Sequence, residues 1–189
     1  MIGLLGGSFD PVHNGHLIVG QVAAETLGLN QLRLVPARQQ PFKAGRHGAS
    51  VEHRSAMLAL AVDGIPGLEI ERAELTRPGP SYTVDTLREL RSREPGAELV
   101  LLLGADAAAE LSAWREAEAI PGLARVVVFA RPGAPVPDSR LIARRIAVPA
   151  IDISATEVRQ RVREGRSIRG WVPDPVAEYV TTHRLYLSQ

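Results

Sequence analysis

Short aliphatic runs recur along the chain, and longer segments with helical spacing of apolar residues separate them. Six runs have the length and composition of strands: 2–5, 32–36, 68–71, 99–103, 125–130 and 147–151. Strands that alternate with helices predict βα units and a parallel sheet. Most runs are continuous rather than alternating, which is typical of strands covered on both faces. We therefore expect an α/β fold, an open parallel sheet with helices on both faces.

The predicted helices have recognisable starts and ends. Apolar residues at helical spacing occupy three segments, each followed within a few residues by Gly or Pro: 17–27, 57–62 and 84–90. Residues 154–157 have the S-x-x-E form of a capping box, which predicts a helix start. Thr83 is a candidate N-cap for the helix that follows it. A last helix is expected to begin near Pro173.

The segment 6–16, Gly-Gly-Ser-Phe-Asp-Pro-Val-His-Asn-Gly-His, directly follows the first predicted strand. Glycines allow backbone N–H groups to approach an oxyanion, and a helix N-terminus adds free donors and partial positive charge. His13 and His16 are three residues apart, so on a helix they share one face. A tight turn with two surface histidines is the simpler interpretation. The combination favours a site for a nucleotide triphosphate.

Composition narrows the class of protein. The chain has 189 residues, a net charge of +1 and no cysteine. Its length fits a single domain over 1–189, and its charge gives no reason to expect nucleic acid or a membrane as partner. Without cysteine, disulfides, thiolate metal sites and cysteine nucleophiles are excluded. No apolar run approaches the roughly 20 residues of a membrane helix. We expect a soluble, cytoplasmic protein.

Candidate polar residues follow several of the predicted strands. They are His13 and His16 after the first strand, Lys43 after the second, Asp106 after the fourth and Ser154 after the sixth. In open α/β sheets ligands bind at the carboxyl ends of the strands. These residues are therefore expected to meet in one active site.

Segment 6–16 resembles the signature of the nucleotidyltransferase superfamily, in which an H-x-G-H element contacts ATP phosphates. Residues 153–159, Ile-Ser-Ala-Thr-Glu-Val-Arg, resemble the second superfamily element, I-S-[SA]-T-x-[IV]-R. Within that superfamily, Pro-Ser-Tyr-Thr-Val-Asp-Thr-Leu at 80–87, and Gly-Ala-Asp at 104–106 followed by Trp114, resemble the bacterial nicotinate-nucleotide adenylyltransferase family. The resemblance spans essentially the whole chain and implies a Rossmann-like sheet.

The resemblance also implies roles for individual segments. Residues 6–16 would form an ATP-binding loop, 80–114 an acceptor-binding segment and 153–159 a C-terminal phosphate motif. The implied ATP-binding residues are Gly6, Gly7, Ser8, Phe9, His16, Gly104, Asp106, Ser154, Thr156 and Arg159. The implied catalytic residues are His13, His16, Lys43 and Arg159. Family members often carry His just before this lysine, whereas this chain has Phe42.

For the acceptor, the resemblance implies that Thr83 and neighbouring amides bind the nicotinate carboxylate, and that Trp114 stacks on the pyridine ring. A helix N-terminus suits an anion, and stacking suits a flat ring. From the residues alone, Thr83 could simply cap a helix, and Trp114 could be an ordinary core residue.

The implied reaction transfers the adenylyl group of ATP to nicotinate mononucleotide and releases pyrophosphate. The attacking phosphate is already an anion, so catalysis reduces to positioning and charge neutralisation. Mg²⁺ is expected on phosphate oxygens and water, without a dedicated protein site. The expected partners are these two small-molecule substrates, and a homo-oligomer is possible. Three alternatives stay open: nicotinamide mononucleotide as acceptor, phosphopantetheine as acceptor, or a nucleotide-binding sensor without turnover.

Overall fold

The chain forms an open sheet of six parallel strands. A computed structural model describes residues 1–39, 48–131 and 133–187. Its strands are β1 (Ile2–Gly7), β2 (Gln31–Pro36), β3 (Leu68–Ile70), β4 (Leu99–Gly104), β5 (Arg125–Ala130) and β6 (Arg144–Ala147). Their spatial order is β3-β2-β1-β4-β5-β6, the order of the Rossmann fold. The predicted α/β fold with an open parallel sheet is confirmed.

Helices cover both faces of this sheet. They are α1 (Asn14–Leu27), α2 (Val51–Val62), α3 (Ala73–Thr76), α4 (Thr83–Arg93), α5 (Ala105–Ala109), α6 (Ile120–Leu123), α7 (Ala155–Arg163) and α8 (Asp174–Thr182). Helices α1, α2, α7 and α8 contribute to the core on one face, and α4, α5 and α6 to the core on the other. In the part of the chain that the structure describes, no helix combines the length and apolar character needed to cross a membrane.

Most predicted helix ends coincide with local capping geometry. The Ser154 hydroxyl accepts the backbone N–H of Glu157 at 3.1 Å, as the capping motif predicts. At the end of α1, Gly28 has the left-handed conformation (φ 63°) that favours glycine. The capping role predicted for Thr83 is wrong, because α4 begins at Thr83 itself and Tyr82 is its N-cap. Tyr82 makes no side-chain cap, although its carbonyl accepts the N–H of Asp85 at 3.1 Å.

The sixth strand lies earlier in the sequence than predicted. The apolar run 147–151 suggested a strand there, but β6 pairs with β5 from Arg144 to Ala147. Pro149 has no N–H to donate to a neighbouring strand, which disfavours a strand across it. Only Ile146 of this edge strand is buried, and Arg144, Arg145 and Ala147 are exposed. A strand that begins with two arginines and has one buried residue gives no apolar run to recognise.

Candidate active site

A cleft of about 740 Å³ opens between the carboxyl ends of β1 and β4. The connections from β1 and from β4 lead to opposite sides of the sheet, so this is the point where the strand order reverses. Ligands of Rossmann-type sheets bind at that point. Seven of the residues predicted from the sequence line this cleft: Gly6, Gly7, His16, Thr83, Gly104, Asp106 and Trp114.

The two motif histidines are packed together at the start of α1. Their rings are stacked, with centroids 3.7 Å apart and an angle of 26° between the ring planes. The buried ring of Phe9 packs edge-on against His16. Nδ1 of His16 accepts the backbone N–H of His13 at 3.2 Å. In a neutral imidazole whose Nδ1 accepts, the proton is on Nε2. His16 therefore presents an Nε2–H donor.

Burial keeps both imidazoles neutral at physiological pH. It lowers the pKa of His13 from the usual 6.5 to about 4. Burial lowers the pKa of His16 well below its usual value as well, and the neighbouring His13 lowers it further. In the free protein the pair therefore carries no full positive charge and can offer hydrogen bonds instead.

Close packing explains why the H-x-G-H element has a glycine at position 15. A Cβ atom at this position would lie 3.0 Å from Nδ1 and 3.2 Å from Cε1 of His13, closer than ordinary packing allows. The carbonyl oxygen of Ile153 would be 3.5 Å from the same atom. A side chain at this position would therefore press on the His13 ring and contact the chain that leads into α7. The two sequence motifs meet at Gly15.

Arg159 links the second motif to the loop before α1. Its Nη1 donates to the carbonyl of Asp10 at 2.7 Å, and its Nη2 to the hydroxyl of Thr156 at 3.3 Å. The start of α7, with Ser154 and Thr156 exposed, is thus next to the start of α1. We call loop 8–13 with the first turns of α1 and α7 the phosphate end of the site.

Three other residues predicted for this end, Ser8, Phe9 and Lys43, are not among the described residues that line the cleft. Ser8 is half-buried and Phe9 is almost wholly buried, and neither side chain lines the cleft. Only the backbone of Phe9 is therefore left for a ligand, and its side chain supports His16 instead. Lys43 lies outside the described residues.

Asp10 organises the phosphate end, a role that sequence reasoning missed. Its buried carboxylate accepts the N–H groups of Gly48 (2.7 Å) and Ala49 (3.1 Å) and the hydroxyl of Tyr186 (2.8 Å). Burial and this negative charge raise the pKa of the Tyr186 phenol. The position of Asp10 inside the first motif was the available signal. Nothing in the sequence pointed to its partner 176 positions away.

Arg54 is a second buried organiser that sequence reasoning missed. Its guanidinium donates to the carbonyls of Ser8 (2.6 Å), Ala37 (2.8 Å) and Arg38 (3.2 Å), so it joins the ends of β1 and β2. Among the described residues no carboxylate forms an ion pair with it. Arg54 lies three residues before the buried Met57 on α2, so it falls on the apolar stripe of that helix. Its place on this stripe could have predicted from the sequence that the Arg54 side chain is buried.

The opposite end of the cleft is formed by the start of α4 and by Trp114, and we call it the acceptor end. Thr83 and Trp114 both line it and are half-buried. The guanidinium of Arg115 lies 4.8 Å from the centre of the Tyr82 ring. Glu74 is buried in the cleft wall, where its carboxylate accepts the hydroxyl of Thr86 at 2.9 Å. Burial raises the pKa of Glu74.

A six-stranded parallel sheet in Rossmann order, with a cleft at the point where the strand order reverses, defines the class of the protein as a Rossmann-like α/β protein. The family model described as cytidylyltransferase-like matches residues 4–161. Curated relatives carry a more specific name, probable nicotinate-nucleotide adenylyltransferase. One from Thermus thermophilus is 45% identical over 185 residues, 98% of this chain and 98% of the relative.

A second relative of that name, from Gemmatimonas aurantiaca, is 43% identical over 194 residues, covering 98% of this chain and 92% of the relative. The chain belongs to the cytidylyltransferase-like family and, within it, to the nicotinate-nucleotide adenylyltransferases. The same fold occurs in Plasmodium falciparum nicotinic acid mononucleotide adenylyltransferase complexed with NaAD. That structure has a TM-score of 0.80 at 19% identity, and the match covers 98% of this chain and 96% of the other.

Proposed function

We propose that this protein transfers the adenylyl group of ATP to nicotinate mononucleotide, giving nicotinate adenine dinucleotide and pyrophosphate. One observation carries the proposal beyond family membership. A single cleft is lined both by His16 and the glycines of the β1 loop and by Thr83 and Trp114. The residues expected for ATP and those expected for the acceptor therefore face one volume, as direct transfer between two bound substrates requires.

In the proposed reaction, a phosphate oxygen of the acceptor attacks the α-phosphorus of ATP in line. A new P–O bond forms as the bond between the α-phosphorus and its bridging oxygen breaks, and pyrophosphate leaves with that electron pair. The attacking oxygen is already anionic, so no general base is needed. The chain's role is to align the substrates and to offer donors where negative charge develops.

The phosphate end would supply those donors. His16 offers Nε2–H in the cleft, His13 supports it by stacking, and Arg159 adds a fixed cation. The proposed ATP-binding residues are Gly6, Gly7, Ser8, Phe9, His16, Gly104, Asp106, Ser154, Thr156 and Arg159. Asp106 is exposed on the cleft wall, where its carboxylate could accept ribose hydroxyls. Lys43 remains a sequence-based proposal for a further phosphate contact.

The acceptor end would hold nicotinate mononucleotide. Thr83 begins α4, and the start of that helix, which has no side-chain cap, suits the nicotinate carboxylate. Trp114 supplies a flat face for the pyridine ring. This orientation directs the phosphate of the acceptor toward the phosphate end.

We propose that Mg²⁺ enters with ATP. Within 1–39, 48–131 and 133–187, no three His, Asp or Glu side chains are grouped as possible metal ligands. The proposal therefore assigns the ion to phosphate oxygens and water, which Mg²⁺ favours. When bound, it would neutralise phosphate charge.

Pyrophosphate release with three acceptors tests the proposal: nicotinate mononucleotide, nicotinamide mononucleotide and phosphopantetheine, each with ATP and Mg²⁺. The expected result is the highest kcat/KM with nicotinate mononucleotide. Preference for phosphopantetheine would overturn the assignment of the acceptor. ATP binding by calorimetry without pyrophosphate release from any acceptor would instead indicate a nucleotide sensor.

A further inference from the structure

Arg115 is a cation at the acceptor end that the proposed reaction does not use. Among the described residues that line the cleft, it is the one Lys or Arg. Its guanidinium lies 4.8 Å from the ring centre of Tyr82, and its Nη1 is 3.4 Å from a carboxylate oxygen of Asp85. Tyr82 and Asp85 are on either side of Thr83 along the chain, so Arg115 is held against the start of α4.

The neighbouring charges leave donors of Arg115 available. The adjacent Glu116 accepts two hydrogen bonds from Arg88, at 2.5 and 3.1 Å. The Nε of Arg115 is 3.9 Å from Glu116, too far for a hydrogen bond. Its one hydrogen bond to a described side chain is the long contact with Asp85. A guanidinium has five N–H donors, so most of them can turn to a ligand.

We propose that Arg115 is a specificity-determining residue that selects a carboxylate over an amide on the pyridine ring of the acceptor. This inference rests on the proposed function, which places that ring on Trp114 and its substituent at the start of α4. Arg115 follows Trp114 directly, and its guanidinium is beside that helix start. A carboxylate there forms an ion pair and offers two acceptor oxygens to the guanidinium, whereas an amide is neutral and offers one. The start of α4 alone offers N–H donors that either substituent could use through an oxygen.

The test compares kcat/KM for nicotinate mononucleotide and nicotinamide mononucleotide in the wild type, Arg115→Gln and Arg115→Lys. For Arg115→Gln, we expect a loss of roughly 10- to 100-fold with the carboxylate substrate, the size of one charge-assisted hydrogen bond. The kcat/KM for the amide substrate should change less than about threefold, so the preference for the carboxylate substrate is largely lost. Arg115→Lys should recover part of it, because the charge remains but the planar fork does not.

Ionic strength and a matched variant distinguish recognition of the acceptor carboxylate by Arg115 from a purely structural role of this residue. Because Arg115 is half-exposed, salt should raise the KM for nicotinate mononucleotide in the wild type more than in Arg115→Gln. Arg140→Gln removes the same charge from an exposed pair with Glu118 outside the cleft lining, and should keep the wild-type preference. An equal loss for both acceptors in Arg115→Gln, or an unchanged preference, would overturn the inference.

Binding distinguishes a failure of this inference from a failure of the proposed function. Calorimetric affinities for the two mononucleotides are measured on the same variants without ATP. If the wild type releases no pyrophosphate but binds the carboxylate form more tightly, and Arg115→Gln loses that difference, the proposed function fails and the role of Arg115 stands. If the wild type turns over with a preference that Arg115→Gln retains, the inference fails alone.

Discussion

The two ends of the cleft hold their arginine side chains in different ways. At the phosphate end Asp10 is 2% exposed and its carboxylate accepts two backbone N–H groups. Arg54, which donates to the Ser8 carbonyl of this loop and to two further backbone carbonyls, is 1% exposed. At the acceptor end the side chain of Arg115 is 52% exposed; it lies against the Tyr82 ring and has one long hydrogen bond, to Asp85. The comparison indicates that the phosphate end is preorganised, whereas the acceptor end relies on an aromatic face and adjustable charges. Rigid donors suit charge that develops on a phosphate, because they need no rearrangement during the reaction.

The largest expected effect is at the phosphate end. His16→Ala removes the Nε2–H donor and should lower kcat roughly 10²- to 10³-fold, or about 2.7–4 kcal/mol. Steady-state pyrophosphate release measures it, with circular dichroism to confirm folding. Ile18→Ala, an exposed change on the same helix, should retain wild-type turnover. Near-wild-type kcat in folded His16→Ala would remove His16 from the site.

Asp10→Ala tests whether the phosphate end is held by its buried network. The substitution leaves two backbone N–H groups and the Tyr186 hydroxyl without their acceptor, so the free energy of unfolding should fall by about 3 kcal/mol. Urea unfolding measures the change. Asp152→Ala removes the same charge from an exposed position and should stay within about 0.5 kcal/mol of the wild type. Similar values for both variants would contradict the preorganised network.

The neutral state of His13 predicts a pH-dependent stability. In the unfolded chain His13 binds a proton below its usual pKa of 6.5, whereas the folded chain resists protonation down to about 4. Protons in this window favour the unfolded state, so stability is lost as the pH falls. His13 alone should cost about 2.5 kcal/mol between about pH 7 and about pH 4.5. Urea unfolding at both pH values should show a smaller loss for His13→Gln, and an equal loss would contradict the assignment.

The smallest expected effect is at the acceptor end. Trp114→Ala removes a stacking face and should raise the KM for nicotinate mononucleotide about 5- to 10-fold, with a smaller change in kcat. Trp171 is the matched control, because its ring packs under the guanidinium of Arg161 (4.5 Å) and it does not line the cleft. Trp171→Ala should leave this KM unchanged. A rise in KM in both variants would show that Trp114 acts through stability.

The features of the fold that could be predicted from the sequence are those that depend on short local patterns. Apolar runs identified five of the six strands closely: the four central strands are covered on both faces, and the edge strand β3 still carries Leu68 and Ile70. The start of α7 followed from the capping residues around Ser154. Strand β6 was misplaced because it has one buried residue and no apolar run. The site residues were predicted through two motifs, and their convergence at Gly15 required the structure.

The residues that sequence reasoning missed depend on long-range partners. The contact of Asp10 with Tyr186 joins positions at opposite ends of the chain, so no local spacing encodes it. The carbonyls that bind Arg54 are backbone groups, which leave no trace in the sequence. The neutrality of the two histidines also follows from burial, which the motif alone does not fix.

The central claim is that the starts of α1 and α7 bind one triphosphate between them. A crystal structure with a non-hydrolysable ATP analogue and Mg²⁺ tests it most directly, through the distances from Nε2 of His16 and the guanidinium of Arg159 to the phosphate oxygens. We expect both to fall within hydrogen-bond range, roughly 2.7–3.2 Å. A triphosphate that contacts neither group, or that lies outside the cleft between β1 and β4, would contradict the account.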